Sequence, residues 1–213
     1  MSETAGASAP LDPEDQARAN FYALLARLFR EAPDAALLRS IAGAPSLAPS
    51  ESVSGGDDPA SELARAWDDL RAASERADVD AVRDEYQALF IGVGRSEVSL
   101  YASHYLGPQS GRPLAEIRTS LAELGLARRP TESEFEDHLA LILETMRMLI
   151  AGDVDRPPAA ISEQRSFFDR HLITAAPKCC NAIRDSSVAN YYRYVAQFSY
   201  SFVVIEEASF AIA

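Results

Sequence analysis

The sequence predicts an all-α protein, a single-domain bundle of about eight to ten helices. Three observations carry this. Apolar residues recur at three- and four-residue spacings along most of the chain, aspartates stand immediately before several of those runs, and strand-like alternation is nearly absent. With 213 residues, 47% of them hydrophobic, the chain can bury one full core. No segment recurs at the roughly 20 to 50 residue period of a solenoid.

The elements follow in order. Residues 1–11 are rich in Ser, Ala, Glu and Pro and read as a disordered tail, leaving 12–213 as the helical domain. They have neither a basic start nor an apolar stretch, so they do not read as a secretory signal. Asp12, Pro13, Glu14 and Asp15 form an N-cap, a proline at the first helical position and early acids that suit the helix dipole. Behind them Phe21, Leu24, Leu25, Leu28 and Phe29 make one buried face. Asp34 caps a short helix that runs through Ile41. Residues 42–57 are Gly-, Pro- and Ser-rich and read as a loop. Asp58-Pro59 repeats the cap-then-proline device before Trp67 and Leu70, and Asp78 caps a helix that buries Val79, Val82, Tyr86, Leu89 and Phe90.

Residues 91–111 break the pattern with Gly92, Gly94, Gly107, Pro108 and Gly111. A loop of that length inside a domain is uncommon and often functional. Pro113 restarts a helix that Gly125 ends. A strong helix is then expected over 134–150, running to Gly152. Pro157 and Pro158 precede another through Leu172, and two more are expected over 177–185 and 187–210, the last rich in Tyr and Phe.

The chain carries 20 Lys+Arg against 32 Asp+Glu, a net charge of −12. That field repels a phosphate backbone, which excludes nucleic acid as the first partner, and favours basic ligands. The same charge also serves simple dispersal in water. No apolar run has the length of a membrane span, so no stable membrane insertion is expected. The two cysteines, Cys179 and Cys180, are adjacent. Neighbours of that kind cannot staple a fold, and they read as inert thiols in a reducing cytoplasm.

The chemistry concentrates in Glu134-Phe135-Glu136-Asp137-His138. Drawn as a helix at about 100° per residue, 134–150 has one core face of Leu139, Ile142, Leu143, Met146, Leu149 and Ile150. Roughly opposite lie Asp137, Leu141, Glu144 and Met148, half acidic and half apolar. Two readings stay open. Either Asp137 caps or bridges a neighbouring helix and Leu141 is core, or the stripe lines a peptide groove whose acids pair with arginines. His138, bordering the acids, is a hydrogen-bonded packing residue or a ligand contact. Upstream, Tyr101 and Ser103 either anchor the long loop or form a platform beside the acidic helix. No nucleophile motif, HExxH, P-loop or dinucleotide pattern is present, so no cofactor, metal or catalytic residue is assigned. A helical metal-dependent hydrolase using His104, Asp137 and His138 with Glu134 is the alternative, and a helical interaction scaffold a third.

Glu85-Tyr86, Leu89-Phe90-Ile91-Gly92, the Tyr101-Ala102-Ser103 loop and Glu134-Phe135-Glu136-Asp137-His138, together with Glu163-Gln164-Arg165-Ser166-Phe167-Phe168 and His171-Leu172, resemble the TorD/DmsD family of molybdoenzyme maturation chaperones. The resemblance covers residues 85–207. It implies a cytoplasmic, non-enzymatic chaperone, monomer or homodimer. Such a chaperone binds the twin-arginine signal peptide or the immature catalytic subunit of a molybdenum-cofactor oxidoreductase until the cofactor is inserted. By the resemblance, Tyr101, Ser103, Glu134, Asp137 and His138 are signal-peptide positions, and the helical layout adds Leu141 and Glu144. Phe135 stands where the family usually has proline, Gly92-Val93-Gly94 replaces Gly-Pro-Gly, Glu97-Val98-Ser99-Leu100 replaces the usual prolines, and no tryptophan occurs over 173–177. These departures mark a divergent branch, whose client is a formate dehydrogenase or a DMSO/TMAO reductase-type enzyme.

Overall fold

Four of the first helices begin on an aspartate whose side chain accepts a backbone N–H of the first turn. In α1 (Pro13–Arg30) Asp12 accepts from Asp15 at 2.9 Å. In α2 (Ala35–Ala42) Asp34 accepts from Leu37 at 2.7 Å. In α3 (Pro59–Arg76) Asp58 accepts from Ala60 and Ser61, and in α4 (Val79–Tyr86) Asp78 accepts from Ala81 at 2.9 Å. Each cap satisfies an amide that the helix itself cannot, worth about 1 kcal/mol. The sequence places all four starts.

The computed structural model describes residues 11–47, 58–92, 96–106, 112–127, 132–153 and 156–212. Residues 1–10 of the expected 1–11 tail, residues 48–57 of the first loop, and Val93, Gly94, Gly107, Pro108 and Gly111 of the second lie outside the described residues. Among the described residues are ten α-helices and no strand. The remaining helices are α5 (Ala102–Tyr105), α6 (Arg112–Glu123), α7 (Leu139–Ala151), α8 (Ile161–Phe167), α9 (Ala175–Asp185) and α10 (Tyr191–Ile212). α4 widens into a π-turn at Gln87–Ile91 and α8 into another at Phe168–Leu172. No described helix is long and apolar enough to cross a membrane.

α1 lies centrally, packed along α7 on one side and touching α10 on another, while α10 packs against α3 and α9. Leu139, Ile142, Leu143, Met146, Leu149 and Ile150 are all buried, as the α7 periodicity predicts. Phe21 sits edge-on to Trp67, Phe198 and Phe202 with ring centroids 5.1 to 5.6 Å apart, which joins α1, α3 and α10. Beside that cluster the buried Glu206 accepts Arg18 Nε at 2.8 Å, Arg18 Nη2 at 2.9 Å and the Tyr22 hydroxyl at 2.9 Å. A buried carboxylate needs such complete pairing to be tolerated.

The structure corrects three expected boundaries. α9 starts at Ala175, with Pro177 inside its first turn, where a missing N–H costs nothing. α10 starts at Tyr191 rather than 187. Its first amides have no local cap, and Glu85 of α4 supplies one, accepting from Asn190 at 2.8 Å, Tyr191 at 2.9 Å and Tyr192 at 2.8 Å. α7 starts at Leu139 rather than 134, with consequences for the site.

Candidate functional site

The residues over 132–138 form a turn-rich segment, and His138 ends it with extended backbone (φ −67°, ψ 131°) as the N-cap of α7. The amides that a helix over 134–150 would have used internally are shared instead with the loop before α5. Leu139 N–H donates to the Leu100 carbonyl at 2.7 Å and Ala102 N–H to the Asp137 carbonyl at 2.9 Å, an antiparallel bridge between Tyr101 and His138. Two segments that look unrelated in sequence are thus one junction.

Side chains complete it. Asp137, 3% exposed, turns its carboxylate onto the Ser103 N–H at 3.2 Å and caps α5 from outside. His138 accepts the Ala140 N–H on Nδ1 at 3.2 Å, so Nε2 carries its proton. Its ring meets Tyr101 edge-on at 5.1 Å. Burial pushes the His138 imidazole below its ordinary pKa, against the pull of Glu134, and nearby Arg30 pushes the same way as burial. The Tyr101 hydroxyl donates to the Glu134 carboxylate. Burial first, and then that carboxylate, raise the Tyr101 pKa. Tyr86 donates to the Arg30 carbonyl at 2.8 Å, and burial pushes its phenol up to about 12. That bond ties α4 to the last turn of α1, whose Arg30 also pairs with Glu132 of the 132–138 segment.

Beside the junction a cavity of about 420 Å³ runs between α1 and α7, closed at one side by the end of α6. Ala23 and Ala26 of α1 are small enough to leave it open. Leu121, Leu126, Leu141, Thr145 and Met148 supply its apolar wall, and Glu132, Glu136 and Glu144 its acids. Each acid faces an arginine of the chain. Arg30 Nη1 lies 2.6 Å from Glu132, Arg118 Nη2 3.0 Å from Glu136, and Arg147 Nη2 2.8 Å from Glu144. Burial works to raise the Glu132 pKa, but the Arg30 hydrogen bond and the backbone of Glu134 outweigh it, and the carboxyl sits below its ordinary range. The arrangement holds guanidinium groups next to apolar surface.

The expected stripe of Asp137, Leu141, Glu144 and Met148 is broken at its first member. Leu141, Glu144 and Met148 line the cavity, whereas Asp137 lies before the helix and faces α5. The helix-capping reading of Asp137 is the one the geometry realises. Tyr101, Ser103, Glu134, Asp137 and His138 come together at the junction, and Leu141 and Glu144 sit in the adjoining cavity. The sequence reading missed Glu132, Glu136 and their partners Arg30 and Arg118. The signal for the acids was present, since four of them crowd residues 132–137.

The hydrolase alternative is not favoured. Among the described residues no group of three His, Cys, Asp or Glu is placed to hold a metal ion. Asp137 Oδ2 and His138 Nδ1 each accept a backbone amide, and His104 is exposed, with its ring edge-on to Tyr105 at 4.9 Å. Cys179 and Cys180 are free and buried, and burial raises both thiol pKa values, which keeps them protonated.

The family described as nitrate reductase delta subunit matches residues 57–181, a span that holds the whole junction and the α6 and α7 sides of the cavity. Among solved structures, the chain is similar to a crystal structure from Archaeoglobus fulgidus described as a putative redox enzyme maturation protein. The two are 19% identical with a TM-score of 0.51, and the match covers 97% of this chain and 99% of that one. At that identity the likeness bears on the fold. No curated protein matches the sequence.

Proposed function

We infer the function from one premise: this chain belongs to the nitrate reductase delta subunit family, whose TorD-like members are redox enzyme maturation chaperones and not catalysts. A family member of this kind interacts with a molybdoenzyme catalytic subunit. Our proposal is more specific. The chain acts in the cytoplasm, binds the twin-arginine signal peptide of that subunit, and holds the subunit back from export while the molybdenum cofactor is inserted.

The observation that carries this reading is the α1–α7 cavity, which sets Glu132, Glu136 and Glu144 beside Leu121, Leu126, Leu141 and Met148. Two adjacent arginines followed by an apolar segment have the complementary chemistry. Leu141 and Glu144 contact the peptide. Tyr101 and Glu134 form the rim next to it. Ser103, Asp137 and His138 are positioning residues, which fix the loop and the start of α7 through their backbone hydrogen bonds. Charge-assisted pairs and apolar burial of this size support roughly micromolar affinity.

The test is calorimetry with a peptide of two adjacent arginines and an apolar tail. Wild-type protein binds it, and Glu136→Gln together with Leu141→Ser weakens binding about tenfold or more, a loss of one charge-assisted pair and one apolar contact. A wild-type protein that ignores the peptide, or a double variant that binds it equally well, overturns the reading.

A further inference from the structure

Glu132 and Glu136 differ from ordinary surface ion-pair partners in one respect. Their carboxylate side chains are 15% and 13% exposed, whereas the arginines they hold, Arg30 and Arg118, are 40% and 50% exposed. The acids are built into the wall of the cavity, and the guanidinium groups cover them from the solvent side. The two acids are four residues apart on one segment, and both line the same cavity as Leu121, Leu126 and Leu141. Each pair also spans separate elements, α1 to the segment over 132–138 for one and α6 to that segment for the other.

We propose that Glu132 and Glu136 are two guanidinium subsites which the chain fills with its own Arg30 and Arg118, and that the paired arginines of the partner peptide enter by exchange. The proposal rests on the signal-peptide reading and adds how the site is occupied without a ligand. A mostly shielded carboxylate left bare would carry a desolvation cost, so the resident arginines keep the empty cavity stable. Half-exposed arginines lose little on release to water, because exposed pairs are weak. Incoming guanidinium groups find carboxylates that already hold a guanidinium nitrogen at 2.6 and 3.0 Å, and lysine, a compact point charge, replaces it poorly. The consequence is selectivity: a peptide with one arginine displaces one resident and leaves the other in place.

Removing a resident arginine therefore raises affinity. Arg118→Ala is expected to bind the two-arginine peptide about two- to fivefold more tightly than wild type, the range of an exposed ion pair. Any lost positive charge also strengthens the general acidic field, so two controls separate the effects. Arg83→Ala removes an exposed arginine that pairs with Asp80 on α4, outside the cavity, and sets the field contribution. Glu136→Gln removes the subsite, and in that background Arg118→Ala gives no gain beyond the Arg83→Ala control. Arg118→Gln repeats the measurement without opening space on α6, and thermal unfolding checks that each variant is folded.

A gain that persists in Glu136→Gln, or equals that of Arg83→Ala, overturns the exchange while the signal-peptide reading stands. Absence of peptide binding in wild type and every variant overturns both. Binding that appears only after Arg118 is removed also overturns both, because exchange requires that the wild type itself take up the peptide.

Discussion

Asp137 caps a helix to which it does not belong. Its carboxylate accepts the Ser103 amide at 3.2 Å and its carbonyl accepts the Ala102 amide at 2.9 Å, across a sequence separation of 34 residues for the first bond. Together with the Leu139 N–H on the Leu100 carbonyl, these bonds tie the Tyr101 loop to the start of α7.

Asp137→Ala leaves the Ser103 amide without its partner while preserving the backbone bridge. A stability loss of about 1 to 3 kcal/mol in urea unfolding is expected. Peptide affinity falls as the junction loosens, and Asp137→Asn recovers part of both losses because its amide oxygen still accepts. Equal affinity in wild type and Asp137→Ala would show that the junction does not shape the peptide site.

Glu85 serves three amides at the start of α10 and is itself buried. Glu85→Ala is expected to cost about 3 to 5 kcal/mol, since charge-assisted bonds are strong and the exposed amides have no local substitute. Glu85→Gln costs less, retaining one acceptor oxygen. Hydrogen exchange of the first turn of α10 reads the effect locally, with protection lost there before it is lost elsewhere.

Breaking the buried Arg18–Glu206 pair from one side leaves a charge without its counterion. Arg18→Ala is expected to destabilise by about 3 to 5 kcal/mol, and joint replacement, Arg18→Met with Glu206→Gln, by much less. Denaturant midpoints of the three proteins decide this. Equal losses for the single and double changes would mean the pairing is not the source of the effect.

Two histidines make stability fall with acid. Burial lowers the pKa of His138, and burial with Arg170 lowers that of His171 to about 4, where its Nε2 shares a 2.8 Å hydrogen bond with Ser120. Between those folded values and the unfolded value near 6.5, the unfolded chain binds more protons than the folded one. Stability is therefore full above about pH 6.5 and declines as pH drops below it, by up to about 1.4 kcal/mol per pH unit for each proton taken up. His138→Asn keeps an N-cap acceptor but cannot titrate, so melting temperature measured from pH 7 to pH 4.5 falls less steeply in that variant. An unchanged slope would remove His138 as a contributor.

Local rules explain which parts were legible beforehand. The starts of α1 to α4 carry their own aspartate caps, so sequence alone locates them. The buried face of α7 follows from its period, and so do Leu141, Glu144 and Met148 as a separate stripe. The starts of α7 and α10 are different in kind. One is fixed by pairing with the Tyr101 loop and the other by Glu85, and neither partner is near in sequence. Helical periodicity continued through Asp137 because nothing local opposes it. The far wall of the cavity was hidden for a similar reason: Ala23 and Ala26 are unremarkable until α7 is laid against them, and Arg30 gains meaning only beside Glu132.

The capping of α10 by Glu85 also orders events in time. A helix whose first turn waits for an acceptor about a hundred residues earlier is a poor nucleus on its own, because closing so long a loop must precede the gain. A growing chain that has emerged only through α9 holds Glu85, Trp67 and Glu206's future partners Arg18 and Tyr22 without the helix that completes them. The α1–α7 cavity, none of whose lining residues lies in α10, is thus walled by a chain whose α1 still lacks the Glu206 carboxylate for Arg18 and Tyr22.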